Sequence, residues 1–432
     1  MSGAGPRDRV AGRSLTVLAL RRILESSIGV EFSGSAALEV DAIIFGGGVA
    51  GLWALDELHR SGRRVVLVEI RALGAGQTIA SQGIIHGGIK YTLAGVFTDS
   101  ARAVREMPGI WRGCLSGQQD RVGPDLSEVR VLAEECSLWR TDSLSSRVGL
   151  LGAAAGLRSD VRRLARNERP AALRQCPGEV FAVREQVIDV ASLLSMLRKQ
   201  HEPRLLKVDP GGVEFVTGAD GRVHGVKLSN FQNRERFEIR PGRVILAAGA
   251  GNADLRKAAE LGTGGMQLRP LHQVMIRGDL PVLFGHCVDG AKTRATITTA
   301  WDAQGRAVWY VGGQIAEDGT RMSEAALIEH ARRELQSVLP GVSLEGAEWA
   351  TVRVDRAEPA TPGGVRPAGP HAALEGNVIT AWPTKLVMAP ELARMIRGLM
   401  PPESSGSAEV ADWPRPEVAS LPWNTREAAW RA

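Results

Sequence analysis

Asp41-Ala42-Ile43-Ile44-Phe45-Gly46-Gly47-Gly48-Val49-Ala50-Gly51-Leu52 is answered, beyond a helical pattern carrying Leu52, Leu55 and Leu58 on one face, by Val65-Val66-Leu67-Val68-Glu69. The run Ala42 to Phe45 has the continuous apolar character of a parallel strand buried on both faces. Gly46, Gly48 and Gly51 stand at G-x-G-x-x-G spacing, and Ser61-Gly62 stops the helix that they open. Glu69 closes the second strand 18 residues beyond Gly51. Each part has a physical task in a βαβ nucleotide site. Gly46 permits the tight turn, Gly48 lets backbone approach a pyrophosphate, and Gly51 lets helix and strand pack closely. Phosphates sit at the helix N-terminus, beside Val49 and Ala50, and the acid accepts hydrogen bonds from a ribose. Glycine triplets also occur in purely structural turns. The order of strand, glycines, helix, strand and acid favours a dinucleotide.

The chain has 432 residues, more than one typical core, so about two domains are expected. Its 23% charged and 44% hydrophobic residues are ordinary for a soluble globular protein. The net charge of +5 is spread along the length, with no basic run interleaved with aromatics, and nucleic acid is not an expected partner. Cys114, Cys136, Cys176 and Cys287 are far apart and form neither a C-x-x-C pair nor metal-ligand spacing. Free thiols in a reduced cytoplasmic protein, without a metal, are therefore expected. No apolar run approaches the roughly 20 residues of a transmembrane helix. Leu15 to Leu20 is too short for a secretory signal and is followed by Arg21-Arg22. Residues 1–38 admit three readings: a disordered arm, an accessory helix, or translation from an upstream start. The ordered core is expected to begin near Leu38.

After Glu69, Ile70 and Arg71 comes Gly74-Ala75-Gly76-Gln77-Thr78-Ile79-Ala80-Ser81-Gln82-Gly83-Ile84-Ile85-His86-Gly87-Gly88-Ile89-Lys90-Tyr91. So many glycines and small hydroxyl residues make a poor core helix or strand. They suit backbone running against a flat ligand, along the second half of a dinucleotide. A flexible solvent loop fits less well, because Ile84, Ile85 and Ile89 are embedded in the run.

This glycine fingerprint, the acid at Glu69 and the Ile85-His86-Gly87-Gly88-Ile89-Lys90-Tyr91 run resemble the D-amino-acid-oxidase-type FAD oxidoreductases. That group includes glycine and D-amino acid oxidases, L-2-hydroxyglutarate dehydrogenase and flavin-dependent glycerol-3-phosphate dehydrogenase. The His86 run is most similar to the hydroxy-substrate members. Further matches follow in family order: Val187-Ile188-Asp189 before a helix, Arg243 to Gly251 as a strand ending in small residues, Gly364-Val365-Arg366-Pro367, and Asn377 to Ala393 as a closing strand-to-helix segment. The family's Trp is replaced by Gly251, where the contact is made by backbone. Members with a histidyl-linked flavin carry their His about where Ala80 stands, so non-covalent FAD is expected.

The resemblance, over about residues 40–400, implies an α/β protein. Its Rossmann-type, glutathione-reductase-like FAD domain is discontinuous (39–99, 186–265, 350–402). An α+β substrate domain (100–185, 266–349) with a large mixed or antiparallel sheet would roof the pocket. Residues 100–185 read as mostly helical: Val104 to Leu115, Leu132 to Trp139 and Ser146 to Leu164. The stretch 204–248 reads as antiparallel hairpins, residues 266–315 as β-branched and aromatic strands, and Ser323 to Leu339 as an amphipathic helix. The tail 403–432 keeps Trp413, Trp423 and Trp430, so part of it should pack on the body.

A flavin performs the redox chemistry, and the protein holds and tunes it. The residues expected to hold FAD are Gly46, Gly48, Val49, Ala50, Gly51, Glu69, Ile70, Arg71, Gln77, Thr78, Ser81, Gln82, Gly83, Ile85, His86, Gly87, Val213, Ala248, Gly249, Pro383, Thr384, Lys385 and Leu386. Lys385 aligns with a Lys-Leu pair of the glycerol-3-phosphate members and is a candidate cation for the charge of reduced flavin; an exposed lysine at a helix end is the plain alternative. Arg366 is the candidate clamp for a substrate carboxylate or phosphate; the plain alternative is an ion pair with Asp355 or Glu358. His86 is placed to accept a hydroxyl proton, or to shape the pocket or bond flavin. His272 and Tyr310, on presumed roof strands, are further substrate candidates, though a satisfied core histidine suits His272 better.

The expected activity is oxidation of a small anionic hydroxy compound, a 2-hydroxy acid or polyol phosphate, by hydride transfer to flavin. Amine oxidation of glycine or D-amino-acid type is the same-fold alternative, and a non-catalytic FAD-binding protein a third reading. The partners are then a small-molecule substrate and an electron acceptor: oxygen, a quinone or a carrier protein. A quinone would bring a cytoplasmic protein to the membrane surface.

Overall fold

The computed structural model describes residues 37–432 apart from 88–98, 119, 121, 142–160, 231–234, 264, 290–291, 403–405, 407, 426 and 432. The N-terminal arm, the Gly88 to Tyr91 end of the glycine-rich run and most of the Ser146 to Leu164 pattern lie outside the described residues.

The Leu38–Phe45 strand begins the ordered body, as the sequence indicates. It runs parallel to Val65–Glu69 on one side and to Glu235–Leu246 on the other. Val378–Trp382 and Leu205–Lys207 extend this parallel sheet outward. His371–Glu375 edges it in antiparallel fashion. Ile43, Ile44, Val66, Leu67, Val244 and Ile245 are wholly buried, which accounts for apolar runs without alternation. Helix Val49–Arg60 packs beneath and is terminated at Ser61, with Gly62 in a left-handed conformation at φ +79°. Val213–Thr217 and Val223–Asn230 form the expected hairpin unit on Glu235–Leu246.

A second sheet of eight strands stands over the first. Its order is Glu348–Pro359, Met266–Gly278, Ala307–Gly312, Lys292–Trp301, Gly285–Asp289, Cys136–Trp139, Val180–Val183 and Val161–Arg163. Helix Glu324–Val338, capped by the Ser323 hydroxyl, covers one face with Leu327, Ala331, Leu335 and Val338. They meet Val274, Ile276, Trp309 and Val311 in a core separate from that beneath the first sheet. Met275 and Tyr310 point to the opposite face and pack with Trp423 of the tail. Trp413 is likewise buried, and the Arg277 guanidinium lies 4.1 Å above the Trp430 ring, so the tail is integral to the body.

Two expectations need correction. Leu132 to Trp139 is not helical: Val131–Ala133 and Cys136–Trp139 are short strands. Leu132, Cys136 and Trp139 have helical spacing, but Cys136–Trp139 gains more by pairing with Val180–Val183 and Gly285–Asp289. The return to the cofactor sheet does not begin at residue 350 either. Glu348–Pro359 pairs along its whole length with Met266–Gly278, so it belongs to the second sheet.

Candidate active site

The nucleotide cradle is built where the first strand turns into the first helix. Gly46 adopts φ +109°, and a Cβ there would stand 2.5 Å from the Ala248 Cα. A Cβ on Gly51 would lie 2.0 Å from the Gly46 carbonyl oxygen. Both glycines are thus closed in by the protein's own backbone. A Cβ on Gly48, by contrast, would meet only the Thr78 hydroxyl, at 3.2 Å. That is the face through which a pyrophosphate can approach. The helix beginning at Val49 has no acidic residue in its own first turn that would compete for its N-terminal N–H groups. Thr78 Oγ1 accepts the Val49 N–H at 3.1 Å and so ties the glycine-rich segment to this turn.

Glu69 is buried at the end of the second strand. Its Oε2 accepts the Gly47 N–H and its Oε1 the Arg71 N–H, each at 2.7 Å. These bonds fix the carboxylate beside the glycine turn, in the posture that a ribose-binding acid requires. Ile70 is exposed beyond it, and its carbonyl accepts Lys207 Nζ at 2.7 Å. Val213 is half-buried on the hairpin and pairs with Leu228. Val208, whose N–H donates to the Glu69 carbonyl at 3.0 Å, is the valine that borders the acid. Ala248 donates its N–H to Asn252 Oδ1, and Gly249, at φ +60°, lets the strand end fold over Gly46.

The second half of the glycine-rich run leads under the roof sheet. Gln77 Oε1 accepts the Ala357 N–H at 3.2 Å. Gln82 Nε2 donates to the carbonyls of Tyr310 at 2.8 Å and Thr296 at 3.1 Å. Gly83 takes φ +68° where any Cβ would collide with the Ile188 carbonyl at 2.1 Å. Ile85 is buried in the core and donates its N–H to the Gln186 carbonyl. His86, at the end of this segment, stays 26% exposed at its side chain.

Glu185, fully buried, stands beneath His86. Its Oε1 accepts the Gly87 N–H at 2.7 Å, and its Oε2 lies 3.4 Å from His86 Nδ1 and 3.4 Å from His286 Nε2. Burial alone would raise this carboxyl's pKa; the charge and hydrogen bonding of the two imidazoles outweigh it and hold the group well below the usual carboxylate range. His286 Nδ1 is 3.0 Å from Thr296 Oγ1. Neither Glu185 nor His286 carries a motif, and no sequence signal pointed to them.

Across the site, Pro383, Thr384, Lys385 and Leu386 form the turn into helix Ala389–Gly398, with Thr384 at φ +61°. Lys385 is buried, which lowers its pKa to about 7; the Arg366 guanidinium pushes the same way and Glu358 opposes. The exposed-lysine alternative therefore does not hold, and Arg366, itself exposed, is near enough to act on Lys385. Glu358 is wholly buried and takes a two-point ion pair from Arg269 at 2.6 and 3.0 Å.

The roof residues divide. His272 is buried on the helix-covered face of its strand, and its Nδ1–H donates to the Gly319 carbonyl at 3.0 Å. Burial lowers its pKa, and it does not line the site. Its parity with Val274 and Ile276 puts it in the core. Tyr310 faces the cofactor segment, but its hydroxyl is engaged with the Ala80 carbonyl at 2.9 Å and Gln273 Oε1 at 2.8 Å. A cavity of about 300 Å³ opens beside Ser81, Gln82 and Tyr310 under Trp423. It includes none of His86, Arg366 and Lys385, so it lies apart from the proposed chemistry.

A glycine turn against a helix N-terminus, with a buried acid ending the next strand and a largely antiparallel second sheet above, is the build of a dinucleotide-binding protein. The chain belongs to the DAO family of FAD-dependent oxidoreductases, whose model matches residues 41–388. It is 40% identical over 398 residues to the probable FAD-dependent oxidoreductase PA4991 of Pseudomonas aeruginosa, covering 90% of this chain and 98% of that one. The crystal structure of PA4991 superposes with a TM-score of 0.75 over 90% of this chain and 99% of its own. Glycerol-3-phosphate dehydrogenase 1 of Mycobacterium tuberculosis is 30% identical over 238 residues, 50% of this chain and 43% of that protein. Glycine oxidase from Geobacillus kaustophilus, 17% identical, shares the fold with a TM-score of 0.58 over 87% of this chain and 98% of its own. FAD is accordingly the cofactor, and the cradle residues fit it. No helix among the described residues is long and apolar enough to cross a membrane.

Proposed function

We propose that this enzyme oxidises a small anionic hydroxy compound, a 2-hydroxy acid or a polyol phosphate. The observation that carries this reading is the pairing of His86, on the flavin-holding segment, with the buried carboxylate of Glu185. A carboxylate behind an imidazole favours the tautomer with the proton on Nδ1, so that Nε2 can accept a hydroxyl proton. Similarity to glycerol-3-phosphate dehydrogenases supports a hydroxyl rather than an amine as the oxidised group. The flavin supplies the hydride acceptor. Arg366 offers a fork for the substrate's carboxylate or phosphate at the exposed rim. Lys385, in the turn leading to helix Ala389–Gly398, would supply a cation that stabilises the charge of reduced flavin.

The test is anaerobic mixing of the FAD-loaded enzyme with panels of 2-hydroxy acids, polyol phosphates and amino acids, followed by flavin absorbance. Bleaching by an anionic hydroxy compound is expected, slowed by about 10²- to 10⁴-fold in His86→Asn. Bleaching by amino acids alone would replace this reading with amine oxidation.

A further inference from the structure

We propose that His86 Nδ1, Glu185 Oε2 and His286 Nε2 form a binding site for a divalent cation of borderline softness, with Zn²⁺ as the reference ion. The three ligand atoms lie within 4.8 Å of one another, though they come from chain positions far apart. Two imidazole nitrogens and one carboxylate oxygen are the donor set of many open zinc sites.

The spacing leaves room for an ion between the three groups. Charge-assisted N–H···O bonds close to about 2.7–2.9 Å, whereas both nitrogens stand 3.4 Å from Glu185 Oε2. Ligands at about 2.0–2.1 Å from a tetrahedral zinc are separated from each other by about 3.3–3.4 Å. The remaining edge, between the two imidazoles, is within 4.8 Å, and His86 as the partly exposed member can adjust it. Supporting bonds are in place as well. The Gly87 N–H holds Glu185 Oε1, and Thr296 Oγ1 fixes the outward nitrogen of His286. Such partners orient metal ligands and fix the imidazole tautomer. Glu185 and His286 are buried while the His86 side chain is 26% exposed, so the site is approached from the His86 side.

One consequence rests on the reading of His86 as proton acceptor. A cation on Nδ1 leaves the imidazole's proton on Nε2, and that nitrogen then has no lone pair for a substrate hydroxyl. Saturating Zn²⁺ should therefore suppress turnover reversibly, with recovery on chelation.

Chelator-treated, FAD-loaded protein is titrated calorimetrically with Zn²⁺. Saturable binding of one ion per chain is expected. His286→Ala should weaken it by more than about 100-fold, and Thr296→Val by about 10- to 100-fold, with flavin content unchanged. Absence of stoichiometric binding, or an affinity unaltered in both variants, overturns the site. Binding that fails to inhibit an active enzyme leaves the site standing and removes the base role of His86 instead, so the two readings fail separately.

Discussion

A Cβ on Gly51 would stand 2.0 Å from the carbonyl oxygen of Gly46, so the turn and the helix that follows it meet in one backbone contact. The opposing atom is main chain in a parallel strand turn and has no rotamer by which to withdraw. Gly51→Ala should therefore cost about 1–3 kcal/mol or more through overpacking and should release FAD by displacing the helix N-terminus. Flavin absorbance per chain, read beside thermal unfolding, checks it. Gly48→Ala, which meets only the Thr78 hydroxyl, should fold normally and lose FAD affinity alone.

Arg269 and Glu358 make a second prediction. The carboxylate is wholly buried and held at two points by one guanidinium. Arg269→Met removes the guanidinium that holds that buried charge and should cost about 3–5 kcal/mol, whereas the double substitution Arg269→Met with Glu358→Met should recover much of the loss. Denaturant midpoints of the single and double variants measure the difference.

The cofactor half of the molecule was legible because its signals are local. Strand, turn, helix and acid are contiguous from Asp41 to Glu69, and Gly46 and Gly51 sit where backbone contacts leave no room for a side chain. The helix entry at Asp189 and the amphipathic helix from Ser323 were readable for the same reason. The catalytic half was not. Glu185 and His286 reach His86 only through the pairing of Cys136–Trp139 with both Val180–Val183 and Gly285–Asp289, which no short-range pattern encodes. His272, for which a satisfied core histidine is the better reading, stays open in the sequence because a strand alternates faces, and only the position of the Glu324–Val338 helix shows which face is the core.

Lys385 links burial to pH. Desolvation, with Arg366 adding and Glu358 opposing, brings its pKa to about 7 in the FAD-free fold, against ~10.4 in an unfolded chain. Between those values the unfolded state holds more protons, so stability rises with pH across that window and is flat from this source below it. Relative to Lys385→Met, the FAD-free enzyme should thus gain stability between about pH 7 and pH 10. In the FAD-loaded enzyme the same substitution should lower the flavin potential, by ~30 mV for each tenfold loss in preference for reduced flavin. Urea midpoints across pH and a redox titration provide the two readouts.

Tyr310 separates a structural from a substrate role. Its hydroxyl is buried between the Ala80 carbonyl and Gln273 Oε1, and burial drives the phenol's pKa upward, so the group remains a neutral donor. The ring also meets Trp423 edge-on at 5.5 Å, which fastens the tail to the roof. Tyr310→Phe keeps that packing and strips the hydroxyl, leaving Ala80 and Gln273 with an acceptor short of a donor. A loss of about 1–3 kcal/mol is expected, with KM for the substrate unchanged. Gln273→Leu should destabilise by a similar amount, and the double variant should fall short of the sum because both remove one shared bond. A raised KM with full stability in Tyr310→Phe would instead put the phenol on the substrate.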